Sequence, residues 1–328
     1  MRVVFVCPAP RGSRLGNRIT VLRWKAMLAE LGHEARITTG VPRGPYDVLV
    51  ALHARRSAEA VRWSRATHPH RPIVVALTGT DLYRDILEDD DAKRSLTIAD
   101  RLIVLHEQAP KAVPKGIRHK VRVLRQSAAG EKRTAGKKKR KPGEAFEVAF
   151  VAHLRPEKDP LRVAAAVRLL PAASRVHVRH AGRALTPEMQ RAAARESRRN
   201  PRYEWLGEVA PARARRLIAR ARVMVLTSVM EGGANVLCEA IVLGTPPLAS
   251  RIPAAIAALG ARYPGFFRVG DTRALARLLA RAERDGAFLA ELTRQARARR
   301  RLFTPSAEKA AWRKLLAELR IGARDRRR

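Results

Sequence analysis

Short apolar runs alternate with longer amphipathic stretches along most of this chain, and this alternation limits the possible folds. The runs "RVVFVC", "DVLVALH", "PIVVALTG", "DRLIVLHE" and "KVRVL" predict strands in the N-terminal half. The stretch "TVLRWKAMLAELGH" predicts a helix that ends at Gly32. Strands that alternate with helices predict a parallel sheet, and their continuous apolarity predicts that both faces are covered.

The pattern is interrupted once and then begins again. Residues 128–145 have no apolar period and carry a cationic run at 137–141, so we predict a basic linker there. Further strands are predicted at "FEVAFVAH", "SRVHVRHAG", "YEWLG", "RVMVLTS" and "PPLAS". The predicted fold is therefore α/β, with Rossmann-like doubly wound parallel-sheet domains at 1–127 and 146–303 that face each other across a cleft.

The last segment, 304–328, is predicted to be one helix followed by a basic tail, packing back on the N-terminal domain. The stretch "PSAEKAAWRKLLAELR" is amphipathic. Its first residues match a capping box, which makes Ser306 the expected N-cap.

Composition narrows the class of protein. The 328 residues include two cysteines, Cys7 and Cys238, both in apolar runs, which favours a reducing compartment. No run has the length of a signal peptide core or a membrane span, so a cytoplasmic protein without membrane insertion is expected. The net charge of +37 suits nucleic acid, an acidic membrane or small anions. Only 5% of residues are aromatic, so we expect small-molecule substrates and no nucleic acid partner. Nothing in the sequence indicates the oligomeric state.

The segment "TSVMEGGANVLCEA" places two carboxylates around an apolar helix that follows a buried strand. Gly232 and Gly233 allow close backbone approach, and the helix start offers free N–H groups to an anion. Asn235 and Glu239 are four residues apart and share a helix face, where Glu239 suits a ribose diol. Glu231 suits a sugar hydroxyl. The alternative is structural, with Glu231 favouring the helix dipole and Glu239 pairing with an arginine.

A second strand end carries cations. Arg155 and Lys158 follow "VAFVAH" in the segment "LRPEKDP", where a guanidinium fork and an ammonium suit a diphosphate. Two exposed cations in a cationic protein are the simpler explanation.

The N-terminal half has comparable strand ends. Gly12 and Gly16 make the first strand–helix loop flexible and close-fitting, and Asn17 and Arg18 open the following helix as a second anion site. Thr80 and Asp81 follow the strand "PIVVAL", where an ordinary N-cap is the alternative. His53 ends the strand "DVLVAL", where a structural hydrogen bond is the alternative. Gly16, Asn17, Arg18 and Thr80 are the candidate acceptor-binding residues. Asp81, His53 and Arg18 are the candidate catalytic residues.

The C-terminal motifs resemble the donor-binding domain of GT-B glycosyltransferases that use nucleotide-sugars without a metal. The segment "LRPEKDP" is similar to their Arg/Lys loop, and "EGGANVLCE", followed by "GTPPLASRIP", is similar to their Glu-x7-Glu motif. The resemblance implies that Arg155 and Lys158 bind the diphosphate and Glu239 the ribose. It places the base at the loop after "YEWLGEV", and Gly207 of that segment is a candidate donor-binding residue. It assigns the sugar and phosphate to Glu231, Gly232, Gly233, Ala234 and Asn235.

The N-terminal motifs "PAPRGSRLGNRITVLRW", "LVALHARRS" and "VVALTGTDLYRD", with "NPRYEWLGEV", resemble the selenosugar synthases of the selenoneine pathway over most of the chain. That resemblance implies transfer of a UDP-sugar, UDP-N-acetylglucosamine or UDP-glucose, to selenophosphate. The products are a 1-selenosugar, UDP and phosphate. It also implies that other enzymes of that pathway are partners. It leaves open the sugar, the anomeric outcome and the choice of Asp81 or His53 as the residue that assists phosphate release.

The acidic run "EDDDAK" contains an Asp-x-Asp pattern that holds a cation in other glycosyltransferases. Here it follows no predicted strand and indicates a polar turn or a helix start. We therefore expect no metal and no other cofactor. The alternative function is an ordinary GT-B hexosyltransferase acting on a hydroxyl of a glycan, lipid or small alcohol.

Overall fold

The computed structural model describes residues 1–130 and 144–325, so the predicted cationic run at 137–141 lies outside the described residues. The described chain forms two compact units. The first consists of Met1–Gln126, Glu231–Gly233 and Pro305–Arg328, and the second of Ser127–Met230 and Ala234–Thr304. Each unit contains one parallel sheet of six strands, which confirms the predicted α/β class.

The first sheet has the strand order β2-β1-β3-β4-β5-β6. Its strands are β1 Arg2–Val6, β2 Glu34–Thr38, β3 Val48–Leu52, β4 Ile73–Ala76, β5 Arg101–Val104 and β6 Val121–Val123. The helices of this unit are α1 Gly16–Glu30, α2 Ala58–Thr67, α3 Ile86–Glu88, α4 Asp90–Ile98 and α12 Pro305–Asp325. A π-helical turn spans Asp81–Asp85, and 3-10 turns span Ala109–Ala112 and Lys115–Lys120.

The second sheet has the order β12-β11-β10-β7-β8-β9. Its strands are β7 Phe146–Val151, β8 Val176–Ala181, β9 Tyr203–Trp205, β10 Val223–Leu226, β11 Pro247–Ser250 and β12 Phe266–Phe267. Its helices are α5 Arg162–Arg168, α6 Pro187–Arg199, α7 Pro211–Arg220, α8 Asn235–Leu243, α9 Pro253–Leu259, α10 Thr272–Arg284 and α11 Gly286–Ala298. Two 3-10 turns, Pro156–Lys158 and Arg300–Phe303, complete the unit.

The central strands are continuously apolar because both faces of the sheet are covered, as predicted. Successive residues of a strand point to opposite faces of the sheet. In β1, Val4 and Val6 enter one buried cluster, while Val3 and Phe5 enter another. Both faces of the first sheet are therefore covered.

Helix α12 packs on the first unit through α1. The rings of Trp24 and Trp312 meet edge to face at 5.2 Å between centroids, and both side chains are buried. The carboxylate of Glu308 is buried beside them and accepts hydrogen bonds from Trp24 Nε1 at 2.6 Å and Arg23 Nε at 3.1 Å. A charged hydrogen bond offsets part of the cost of burying this carboxylate.

Three sequence-based predictions differ from the structure. Helix α12 begins at Pro305, so Ser306 lies inside the helix and is not its N-cap; proline suits the first helical position because its missing N–H needs no partner there. Helix α1 begins at Gly16, four residues before the predicted stretch. Two short edge strands, β2 and β12, lack the apolar runs of the central strands.

Candidate active site

Each sheet reverses its strand order at one place, and ligands of such folds bind beyond the carboxyl ends of the strands there. In the first sheet β1 lies between β2 and β3, so the loops after β1 and β3 flank this position. In the second sheet β7 lies between β8 and β10, so the loops after β7 and β10 flank it. Most candidate residues from the sequence follow one of these four strands.

The loop after β7 carries Arg155 and Lys158. The backbone of Arg155 is extended and leads into the 3-10 turn Pro156–Lys158, whose next residue, Asp159, is left-handed at φ 43°. Thr227, which follows β10, donates its hydroxyl to the carbonyl of Lys158 at 2.7 Å. This hydrogen bond holds the loops after β7 and β10 together. It fixes the backbone from which the two cations project.

Helix α8 begins without a capping side chain. Ala234, the N-cap residue, has left-handed backbone angles of φ 46° and ψ 61°, which are costly for a residue with a Cβ. The first turn has no acidic residue. The helix therefore starts with N–H groups and a positive dipole end at the loop after β10. Asn235 and Glu239, both half-buried, lie one turn apart on it.

A groove of about 400 Å³ lies beside the ends of β8 and β9 in the second unit. Gly207 lines it at φ 67°, together with Leu185, Trp205 and Glu208. Gly182, absent from the sequence-based candidates, shapes the same edge, because a Cβ there would meet the carbonyl oxygen of Ala152 at 1.7 Å. In the sequence, a glycine directly after a predicted strand indicates such a close approach of two backbone segments.

The segment Glu231–Gly233 packs within the first unit against the loop after β4. A Cβ on Gly232 would lie 2.1 Å from the carbonyl oxygen of Thr78, and one on Gly233 would lie 2.2 Å from Gln126 Oε1. Glu231 itself is buried, at 8% exposure. Gly232 is therefore required by its close approach to backbone, whereas Gly233 packs against side chains that can shift, and the segment joins Glu231 to the residues that follow β4.

Helix α1 also starts without a capping side chain and without an acidic residue in its first turn. Gly16, Asn17 and Arg18 are its first three residues, so Asn17 and Arg18 lie at the helix start as expected, while Gly16 belongs to the helix and not to the loop before it. Two buried atoms here, Arg18 Nε and Ser13 Oγ, have no hydrogen-bond partner in the described parts of the chain. Burial raises the pKa of the nearby Cys7 thiol, and the charge of Arg18 opposes that rise. The sequence did not single out Ser13.

The two glycines that follow β1 are not close-fitting. A Cβ at Gly12 or Gly16 would meet no described atom within 4 Å. Gly12 is required instead by its backbone, with φ 83°.

His53 occupies a strained position directly after β3. Its φ of 74° is rare for a residue with a side chain and marks a place where the surroundings impose the conformation. The ring is 3% exposed, and its Nε2 lies 3.1 Å from Thr80 Oγ1. Burial lowers the pKa of His53, with Asp81 and Asp85 opposing and Arg56 and Arg55 adding to that shift. The imidazole is therefore neutral near pH 7.

The bonds at His53 define its tautomer. The backbone N–H of Arg56 donates to Nδ1 at 3.4 Å, so Nδ1 carries a lone pair and Nε2 carries the hydrogen. His53 then donates to Thr80, and the hydroxyl hydrogen of Thr80 is left to point at another acceptor.

Asp81 is fully buried, and backbone groups occupy both of its oxygens. Oδ1 accepts from the N–H groups of Thr78 and Gly79 at 2.9 and 2.8 Å, and Oδ2 accepts from Ala54 at 3.1 Å. Asp81 therefore ties the loop after β3 to the loop after β4. The ordinary N-cap considered for Thr80 and Asp81 is wrong, because Thr80 precedes a π-helical turn and makes no capping bond.

Asp85 is a member of this cluster that sequence reasoning missed. Its carboxylate is buried, and within residues 1–130 and 144–325 its Oδ2 has no hydrogen-bond partner. That oxygen lies 3.7 Å from His53 Nε2 and 3.3 Å from Arg55 Nε. Its position four residues after Asp81 in "TDLYRD" is the feature of the sequence that indicates it as a candidate.

The acidic run is a helix start, as predicted. Asp89 caps α4 by accepting from the N–H of Ala92 at 2.8 Å, Asp90 pairs with Lys93, and Asp91 pairs with Arg62. Among residues 1–130 and 144–325, no three His, Cys, Asp or Glu side chains are grouped as metal ligands.

The sequence profile of the family described as "Glycosyl transferases group 1" matches residues 131–299, just over half of the chain. The chain belongs to the group 1 glycosyltransferases. The match includes the loops after β7 and β10 and all of α8. A comparison with curated proteins finds no significant sequence match.

Solved structures have the same fold as this glycosyltransferase. Anabaena HepE in complex with UDP is 16% identical, with a TM-score of 0.75 and coverage of 97% of this chain and 100% of HepE. Sucrose-phosphate synthase from Thermosynechococcus elongatus is 15% identical, with a TM-score of 0.78 and coverage of 97% and 98%. A UDP-forming trehalose-phosphate synthase from Burkholderia vietnamiensis is 17% identical, with a TM-score of 0.66 and coverage of 94% and 80%. At these identities the likeness establishes the GT-B fold alone.

None of the helices in the described parts of the chain is both long and apolar enough to cross a membrane.

Proposed function

We propose that this enzyme transfers the sugar of a UDP-sugar to selenophosphate and produces a 1-selenosugar, UDP and phosphate. The acceptor would bind at the first sheet and the donor at the second. The observation that carries the proposal is the start of α1, where Arg18 Nε and Ser13 Oγ are buried without hydrogen-bond partners among the described residues, beside an uncapped helix end. Such groups suit a small anion, which has no apolar body to bury.

The donor assignment is supported by the loops after β7 and β10. Arg155, Lys158 and the start of α8 would supply positive charge for a leaving diphosphate, and Glu239, half-buried on α8, would accept hydrogen bonds from the ribose. HepE, which shares the fold, has been solved with UDP and with UDP-glucose. Preorganised positive groups stabilise the charge that develops on the leaving oxygen, so we propose that no divalent metal is required.

In the first step, a selenium lone pair of selenophosphate attacks the anomeric carbon. The carbon–selenium bond forms while the carbon–oxygen bond to UDP breaks, through an oxocarbenium-like transition state. Selenophosphate arrives as an anion, so no strong base is needed. Positioning by Asn17 and Arg18 and stabilisation of UDP supply most of the rate enhancement.

In the second step, water attacks phosphorus, the selenium–phosphorus bond breaks, and phosphate leaves the selenosugar. The geometry favours Thr80 as the group that contacts the phosphoryl oxygen or the water. Its hydroxyl accepts from His53 and so presents its hydrogen to the ligand. His53 and Asp81 then act as positioning residues, since Asp81 has both oxygens in bonds to the backbone.

The experiment that tests the acceptor assignment is the variant Arg18→Ala. Removal of one charged donor is expected to raise the selenophosphate KM or lower kcat at least ~tenfold. Calorimetric binding of the UDP-sugar should stay within twofold of the wild-type value. Arg11→Ala is the matched control, because Arg11 is an exposed arginine of the loop between β1 and α1. A loss of UDP-sugar binding with unchanged selenophosphate kinetics would mean that the acceptor site is elsewhere.

One observation favours the alternative, an ordinary hexosyltransferase with a hydroxyl acceptor. Ile19 and Leu22 lie one turn apart on α1 and are 40% and 48% exposed. Such a pair suits the apolar part of a lipid or glycoside acceptor. The double variant Ile19→Ser, Leu22→Ser should leave selenophosphate turnover unchanged, whereas an apolar acceptor would lose affinity.

A further inference from the structure

We propose that Tyr83, held by His106, is a specificity-determining residue that donates a hydrogen bond to a neutral oxygen of the transferred sugar. The inference rests on the proposed function, because it assumes a sugar nucleotide as the donor. Neither residue has a role in the mechanism described above.

His106 lies two residues beyond the end of β5 and is 5% exposed. The backbone N–H of Gln108 donates to its Nδ1 at 3.2 Å, which leaves the hydrogen on Nε2. That hydrogen is directed at the hydroxyl oxygen of Tyr83, 2.9 Å away. Burial lowers the pKa of His106 to about 4, so the ring is neutral at physiological pH.

The consequence falls on Tyr83. Its oxygen accepts from His106, so its own hydrogen needs another acceptor. Burial raises the pKa of the Tyr83 phenol, so the hydroxyl keeps its proton. The arrangement repeats the one at His53 and Thr80. In each, a neutral histidine after a strand fixes a hydroxyl of the turn after β4 as a donor.

The surroundings favour a neutral oxygen of the sugar. The charged groups for an anion lie at the start of α1, after β1, on the other side of β3 from β4 and β5. The segment Glu231–Gly233, proposed to contact the sugar, packs instead beside β4 and β5. A Cβ on Gly233 would lie 2.9 Å from Leu105, the neighbour of His106, and one on Gly232 would lie 2.7 Å from the nitrogen of Gly79. An uncharged donor here suits a hydroxyl or a carbonyl oxygen.

The test is calorimetry on the full chain with UDP, UDP-glucose and UDP-N-acetylglucosamine. Tyr83→Phe should weaken the binding of the preferred UDP-sugar about fivefold to tenfold, which corresponds to one neutral hydrogen bond. The affinity for UDP should stay within twofold of the wild-type value. His106→Leu should behave in the same way. His106→Gln should recover most of the affinity, because its amide N–H can replace Nε2–H. Tyr46→Phe is the control, since it removes a buried hydroxyl whose bond to Ser64 is internal.

Equal losses for UDP and the UDP-sugar, or no loss in Tyr83→Phe, would overturn the inference while leaving the proposed function intact. A wild-type chain that binds UDP but neither sugar nucleotide would contradict the proposed function itself, and this inference with it.

Discussion

Adjacent glycines in the segment Glu231–Gly233 should respond very differently to alanine. In Gly232→Ala the new methyl would lie 2.1 Å from the carbonyl oxygen of Thr78 and 2.7 Å from the nitrogen of Gly79. Both are backbone atoms, and the loop that carries them is fixed by the bonds from Thr78 and Gly79 to Asp81. The contact must widen to at least 3.0 Å, so the whole segment has to move.

In Gly233→Ala the close atoms belong to side chains. The new methyl would lie 2.2 Å from Gln126 Oε1 and 2.9 Å from Leu105 Cδ1. Gln126 can turn away at the cost of its hydrogen bond to Thr20, which is 2.7 Å long. Such a bond is worth about 1 kcal/mol. The backbone clash in Gly232→Ala should cost about 2–3 kcal/mol, in the upper range for overpacking.

The assay is the thermal midpoint together with UDP-sugar turnover. Gly232→Ala should lower the midpoint by roughly 5–8 °C and Gly233→Ala by roughly 2–4 °C. Turnover should fall most in Gly232→Ala, because the displaced segment carries Glu231. Gly286→Ala is the control, since a Cβ there would meet nothing within 4 Å. If Gly232→Ala and Gly233→Ala melt at the same temperature, the close approach to Thr78 is not what requires Gly232.

Three further outcomes are expected. Arg155→Ala or Lys158→Ala should raise the barrier to turnover by ~2–4 kcal/mol with an unchanged thermal midpoint, because each removes a cation from the leaving diphosphate; near-normal rates in steady-state kinetics would contradict that role. Activity should persist in excess EDTA, and a loss that magnesium or manganese restores would show that the enzyme needs a metal. His106 and His180 have pKa values lowered by burial from 6.5 to about 4. As the pH falls, the two histidines are protonated in the unfolded chain before they are protonated in the folded chain. Their contribution to the free energy of unfolding is therefore complete above pH 6.5 and is lost as the pH falls toward 4. Urea unfolding should show that each histidine accounts for roughly 2 kcal/mol between pH 7.5 and 5, and His106→Gln should remove its own share.

The parts of the fold that the sequence predicts are those set by apolar patterning. Strands β3, β4 and β10 are continuous apolar runs because both faces of their sheets are buried. Strand β2 is an edge strand with little complete burial, so its sequence, "EARIT", has no such run. At α12 the capping-box pattern misplaced the helix start, because Ser306 and Glu308 are two residues apart and a capping box needs three, and because proline occupies the first helical position. Its glutamate, Glu308, lies buried against Trp24.

The sequence predicts which residues of the candidate site follow the ends of strands, and no more than that. The rule that ligands bind beyond the carboxyl ends of parallel strands selects Arg18, His53 and Arg155 from the sequence alone. The rule says nothing about contacts between side chains from different strands. The bond of His53 to Thr80 and the buried oxygen of Asp85 depend on how neighbouring strands align, which the spacing of residues along the chain does not give.

Mass spectrometry of one reaction tests the central claim most directly. Purified protein is incubated with selenophosphate and either UDP-N-acetylglucosamine or UDP-glucose, and the products are identified by the isotope pattern of selenium. The proposed function predicts UDP, phosphate and a selenium-containing hexose or hexosamine in equal amounts, formed roughly 30- to 1,000-fold more slowly when Arg155→Ala replaces the wild-type protein. UDP formed only in the presence of a hydroxyl acceptor, with no selenium in any sugar product, would contradict it.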